Sequence, residues 1–115
     1  LPVIHCVKGT PGWELAEGLK GFEGKRFEKV TFGSRELADY AALGQYESVE
    51  LVGLCTDICV ISNAMLCKAA FPEANIVIDA ALCACVTPES HDTALNAMRL
   101  CQMEILHQGE EPWRK

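Results

Sequence analysis

No apolar run in this chain approaches the roughly 20 residues needed to cross a bilayer, and no basic stripe gathers its scattered Lys and Arg residues. The first absence gives no membrane partner. The second, with a formal net charge of -6, argues against a nucleic-acid surface and for a soluble, acidic protein. There is no Met at position 1, and "LPVIHCVKG" is strand-like from its first residues rather than a signal peptide. The chain therefore reads as beginning inside a larger domain. No N-x-S/T glycosylation acceptor and no C-x-x-C pair is present. The C-x-C at Cys83 and Cys85 lacks a partner pair at zinc-finger spacing, which disfavours structural zinc. "KGTPG" lacks the G-K-[ST] ending of a phosphate loop. Internal repeats, low-complexity tracts and linkers are also missing.

What is present suits one folded domain, 1–115. Half of the residues are hydrophobic and 23% are charged, a globular balance, and 115 residues support one core. Seven cysteines form an odd set, and Cys55, Cys59 and Cys67 fall within apolar strand or helix patterns. That favours a reducing, cytoplasmic setting in which most thiols act as small buried hydrophobes.

Strand and helix signals alternate along the chain. "PVIHCV", "RFEKVTF", "SVELVGL", "NIVIDA" and "CQMEIL" read as strands. "SRELADYAAL" reads as a helix with a Ser N-cap, and "ICVISNAMLCKAAF" as one that stops before Pro72. "TPESHDTALNAMRL" places Thr87 at an N-cap and Pro88 at the first helical position. "HQGEEPWRK" reads as a polar tail. The expectation is an α/β fold: a Rossmann-like parallel sheet with helices on both faces. In such sheets the site lies beyond the carboxyl ends of the strands, here Gly53 to Cys59, Ala80 to Thr87 and "KGTPGW".

The most informative stretch is "LVGLCTDICVISNAML", residues 51–66, where a strand gives way to a helix. With Thr56 or Asp57 as N-cap, Cys59 falls in the first helical turn. Unpaired N–H groups and the positive end of the helix dipole favour an anion there. A thiolate so placed is a better nucleophile, and the same N–H groups suit the oxyanion of a tetrahedral intermediate. Set against this, free cysteine on a helix is most often a packed residue.

The surrounding residues shift that balance. "LVGLCTDICV" resembles the nucleophile motif of the isochorismatase-like cysteine hydrolases, in particular the nicotinamidase/pyrazinamidase branch. "HCVKGTPGWEL" resembles that family's loop around its metal histidine, "FEKVTF" its lysine segment, and "DAALCACVTPESHDTAL" its following strand and helix. The four occur in the family's order across Leu1 to Leu106. The resemblance implies Cys59 as nucleophile and Lys29 as the triad lysine. It implies an oxyanion hole from the backbone N–H groups of Cys55 and Cys59, with a cis peptide at Leu54–Cys55. It implies hydrolysis of a small-molecule amide through a thioester, with nicotinamide going to nicotinate and ammonia, a reaction of NAD metabolism. Without the resemblance, Lys29 would read as a solvated strand lysine.

His5 stands where the family has a metal ligand, and the resemblance implies, with no cofactor certain, a divalent metal (Zn, Fe or Mn) in the full-length domain, with the other ligands upstream. A satisfied core histidine is the alternative for His5, and His91 reads as capping or packing within its helix. Trp13, Phe32 and Leu54 are candidate pocket residues, although a core role suits the two aromatics equally.

Two departures stand out. The family's catalytic aspartate lies in an N-terminal D-x-Q strand that this sequence does not contain, so the N-terminal strands of the fold are expected to be missing. Cys85 replaces the Gly of the family's "CAG". Two other functions therefore stay open: a non-catalytic fragment or binding subunit of the same fold, and, more weakly, an isochorismatase-type hydrolase. Whether the protein forms a homo-oligomer also stays open.

Overall fold

The computed structural model describes residues 4–114. Its centre is a parallel sheet of three strands in the order β1-β2-β3: β1 (Ser48–Leu54), β2 (Asn75–Ala84) and β3 (Glu104–Leu106). Parallel neighbours need crossovers, and two helices supply them. α2 (Ile61–Ala70) joins β1 to β2, and α3 (Pro88–Leu100) joins β2 to β3. α1 (Arg35–Leu43) precedes the sheet and packs on α2, which in turn contacts α3. The architecture is α/β.

Local chemistry sets the helix starts. The Ser34 hydroxyl accepts from the Leu37 N–H, and the Thr87 hydroxyl accepts from the Ser90 N–H, so each N-cap satisfies one orphan donor. Pro88 fits the first turn of α3 because its missing N–H would have had no partner there. Arg99 lies in the last turn of α3, where the dipole favours a cation.

The core lies where β2 meets α2 and α3. Ile76, Ile78, Leu95 and Met98 are fully buried, with Cys67, Ala64 and Ala80 filling between them. Burying each of the four large side chains contributes about 1.5–3 kcal/mol. β1 alternates instead: Val49, Leu51 and Gly53 are half-buried, while Ser48, Glu50, Val52 and Leu54 face outward.

The ladder between β1 and β2 is irregular near the site. Leu51 pairs with Ile78, but Gly53 pairs with Cys83, so β2 bulges. Gly53 adopts φ +121, a conformation that a side chain would strain. The bulge carries Ala81, whose N–H donates to the Asp79 carboxylate.

Two expected strands have no counterpart among the described residues. Of "PVIHCV", Pro2 and Val3 lie outside the described residues with Leu1, and residues 4–7 join no ladder. "RFEKVTF" also pairs with no strand among the described residues, and Val30 and Phe32 are exposed. An apolar run or an alternation favours an extended backbone, but a strand also needs a neighbour for its N–H and C=O groups. The tail differs as well. Glu111 is buried, and the Trp113 indole N–H donates to the Cys83 carbonyl at 2.8 Å.

Candidate active site

β1 ends at Leu54, and the Leu54–Cys55 peptide bond is cis. A π-helical turn, Thr56–Val60, then leads into α2. The Cys55 carbonyl accepts from the N–H groups of Ile58 and Val60, both at 3.1 Å. Cys59 sits between those two donors, half-buried, at the carboxyl end of β1.

The segment before α1 folds over this turn. The Lys29 ammonium lies 3.5 Å from Cys59 Sγ and donates to the Thr31 carbonyl at 3.0 Å. Asn63 connects the two pieces of chain: its Oδ1 accepts from the Ser34 N–H at 2.7 Å, and its Nδ2 donates to the Cys59 carbonyl at 3.0 Å. Gly33 lies close against α2. A Cβ there would stand 2.7 Å from Leu66 Cδ1 and 3.3 Å from Ser62 Cβ.

A cavity of about 820 Å³ opens between these parts, and it is lined by His5, Trp13, Lys29, Phe32, Leu54, Cys55 and Cys59. Every residue singled out from the sequence as catalytic, oxyanion-binding, pocket-lining or metal-ligating thus borders one space. Val7, Val30 and Ile58 make much of the remaining wall apolar. Glu28 is the one carboxylate in the described lining, and Lys8 holds it at 2.7 Å while lying over the Trp13 ring.

The thiols differ by environment. Burial pushes Cys67 and Cys83 above the ordinary thiol value. Cys55 is raised too, first by burial and then by the nearby Cys85, Asp57 and Cys59. A neutral Cys55 thiol suits a part played through its backbone. Asp57 accepts from the Cys85 thiol at 2.6 Å, and Ser90 lies 3.2 Å from the same sulfur. That contact ties the π-helical turn to the start of α3.

Sequence spacing did not reveal a second polar cluster behind the turn. His91 and Thr56 are fully buried, and Glu111 nearly so. His91 lies 2.7 Å from Thr56 Oγ1 through Nδ1 and 2.7 Å from Glu111 through Nε2. Its partners are 35 and 20 residues away in the chain, which places them beyond the reach of any local pattern. The Arg114 guanidinium bonds both carboxylate oxygens of Glu111 and both of Asp92. This interaction holds the Glu111 carboxyl down at about 2 and also lowers Asp92.

Neither His5 nor His91 fits a metal centre among the described residues. His5 belongs to no cluster of three ligand side chains there. His91, Asp92 and Glu111 do cluster, but Arg114 already supplies the positive charge that a metal ion would bring.

Known proteins share this fold. Nicotinamidase/pyrazinamidase PncA from Bacillus subtilis superposes with a TM-score of 0.76 at 27% identity, covering 90% of this chain and 62% of that one. An isochorismatase-like hydrolase from Alkaliphilus metalliredigens (TM-score 0.71, 24% identity, 90% and 57% coverage) shares the fold. So does an isochorismatase family protein from Desulfovibrio vulgaris (0.77, 23%, 89% and 55%). The chain spans less than two thirds of the length of each. No curated protein sequence matches it. The isochorismatase domain model matches residues 1–110, and the chain belongs to that family.

Proposed function

We propose that the protein is a cysteine-dependent amidohydrolase of nicotinamidase type, with a small amide as substrate and nicotinamide as the preferred one. The observation that carries this reading is the Lys29 ammonium 3.5 Å from Cys59 Sγ at the wall of a largely apolar cavity. An ammonium beside sulfur favours the thiolate, the nucleophilic form. Trp13 and Phe32 offer flat apolar surfaces to an aromatic ring. The Cys59 thiolate attacks the amide carbon, and the carbonyl electron pair moves to oxygen. The Cys55 and Cys59 N–H groups stabilise that oxyanion. Collapse re-forms the carbonyl and expels the amine, which leaves as ammonia after accepting a proton from a general acid. Water then cleaves the thioester, giving the carboxylate and regenerating the thiol.

A second reading, a binding subunit without turnover, is favoured by the acid–base inventory. Glu28 is the lining's one carboxylate among the described residues, and it is engaged by Lys8. Ammonia release separates the two. The complete protein is expected to release ammonia from nicotinamide, and Cys59→Ala is expected to abolish release. Binding of nicotinamide without ammonia would establish the second reading.

A further inference from the structure

The buried cluster at His91 has no part in the chemistry above, yet it touches the turn that carries Cys55 and Cys59. Ionised Glu111 can only accept, so His91 Nε2 carries the proton in their 2.7 Å bond. Nδ1 is then left to the Thr56 hydroxyl, also at 2.7 Å. Thr56 is the first residue of the π-helical turn and has no exposed surface. Its hydroxyl therefore cannot meet a substrate, and this carboxylate–imidazole–hydroxyl series is not a second nucleophile. The Trp113 ring packs edge-on against His91, with centroids 4.8 Å apart, and its N–H anchors to β2. Arg114 closes the cluster from outside by clasping Glu111 and Asp92.

We propose that Thr56, His91 and Glu111 form a positioning relay. It fixes the turn bearing Cys55 and Cys59 against the C-terminal segment 107–114, and so sets the thiol and its flanking N–H groups. The relay rests on the reading of Cys59 as the nucleophile. It acts through the turn, since all three side chains lie behind it. A buried network with every member paired holds one geometry, whereas removal of one partner leaves another unsatisfied and the turn free to relax.

The test uses the complete protein with Thr56→Val, which keeps the shape and removes the hydroxyl, Thr56→Ser, which keeps the hydroxyl, and Glu111→Gln. Thermal melting and the rate of Cys59 alkylation by iodoacetamide are measured for each, together with kcat and KM for nicotinamide. Thr56→Val is expected to slow Cys59 alkylation and kcat roughly tenfold or more while KM changes less than about threefold, as misplacement of reacting groups does. Thr56→Ser is expected to stay within about threefold of wild type on both rates, because the relay bond survives. Glu111→Gln is expected to fall between them, and it carries the test if Thr56→Val does not fold. Wild-type alkylation in folded Thr56→Val or in Glu111→Gln overturns the relay, as does Thr56→Ser behaving like Thr56→Val. Should wild type release no ammonia, the amidase reading fails, and the alkylation series still decides the relay.

Discussion

Glu111 shows how one residue's surroundings become a property of the protein. Its carboxyl sits at about 2 instead of the ordinary 4.5, chiefly because Arg114 bonds it, with His91 adding a further bond and burial opposing both. A depressed folded value stabilises the native state above the unfolded value, and that contribution disappears as pH falls through the folded value. The window therefore runs from about 4.5 down to about 2. The melting temperature of wild type is expected to drop across this window, and Glu111→Gln is expected to flatten that part of the profile. Parallel profiles for the two proteins would contradict the assignment. Nothing in "HQGEEPWRK" signals this burial: five of its nine residues are charged or histidine, and the compensating partners His91 and Asp92 lie on another element.

At the scale of elements, the site depends on how two segments are stapled together. Asn63 satisfies both the Ser34 N–H and the Cys59 carbonyl. Asn63→Ala removes a bond from each of these partly buried groups, and is expected to cost about 1–3 kcal/mol in urea denaturation. The loop carrying Lys29 should loosen as well, slowing Cys59 alkylation in the folded protein. Unchanged stability and rate would remove the staple from the account. The sequence made much of this element order visible. Ser34 and Thr87 are N-caps, and β1 and the strand opening at Asn75 coincide with the apolar runs read there. These features depend on near neighbours. The segments 4–7 and 26–32 join no ladder because the apolar run of the first and the alternation of the second report a strand's own residues, not whether a partner lies alongside. Asn63 and His91 escaped for a related reason, since each joins residues far apart in the chain.

For the molecule as a whole, the surface matters as much as the site. β1 forms one margin of the described sheet, and Val52, Leu54, Leu82 and Val86 are exposed. Unpaired strand edges beside apolar surface promote association. The 115-residue polypeptide expressed by itself is expected to self-associate in sedimentation velocity, and a lone monomer with a cooperative melt would contradict this. The central claim concerns Cys59, and the competition among the seven thiols tests it most directly. Cys6 and Cys101 are exposed, Cys59 is half-buried, and Cys67 and Cys83 are buried. Access alone would therefore favour Cys6 and Cys101. Limiting iodoacetamide near neutral pH, followed by peptide mapping, is expected to label Cys59 first, and Lys29→Ala is expected to erase that preference. Labelling of Cys6 or Cys101 ahead of Cys59 in the wild type would show that the turn does not activate its thiol.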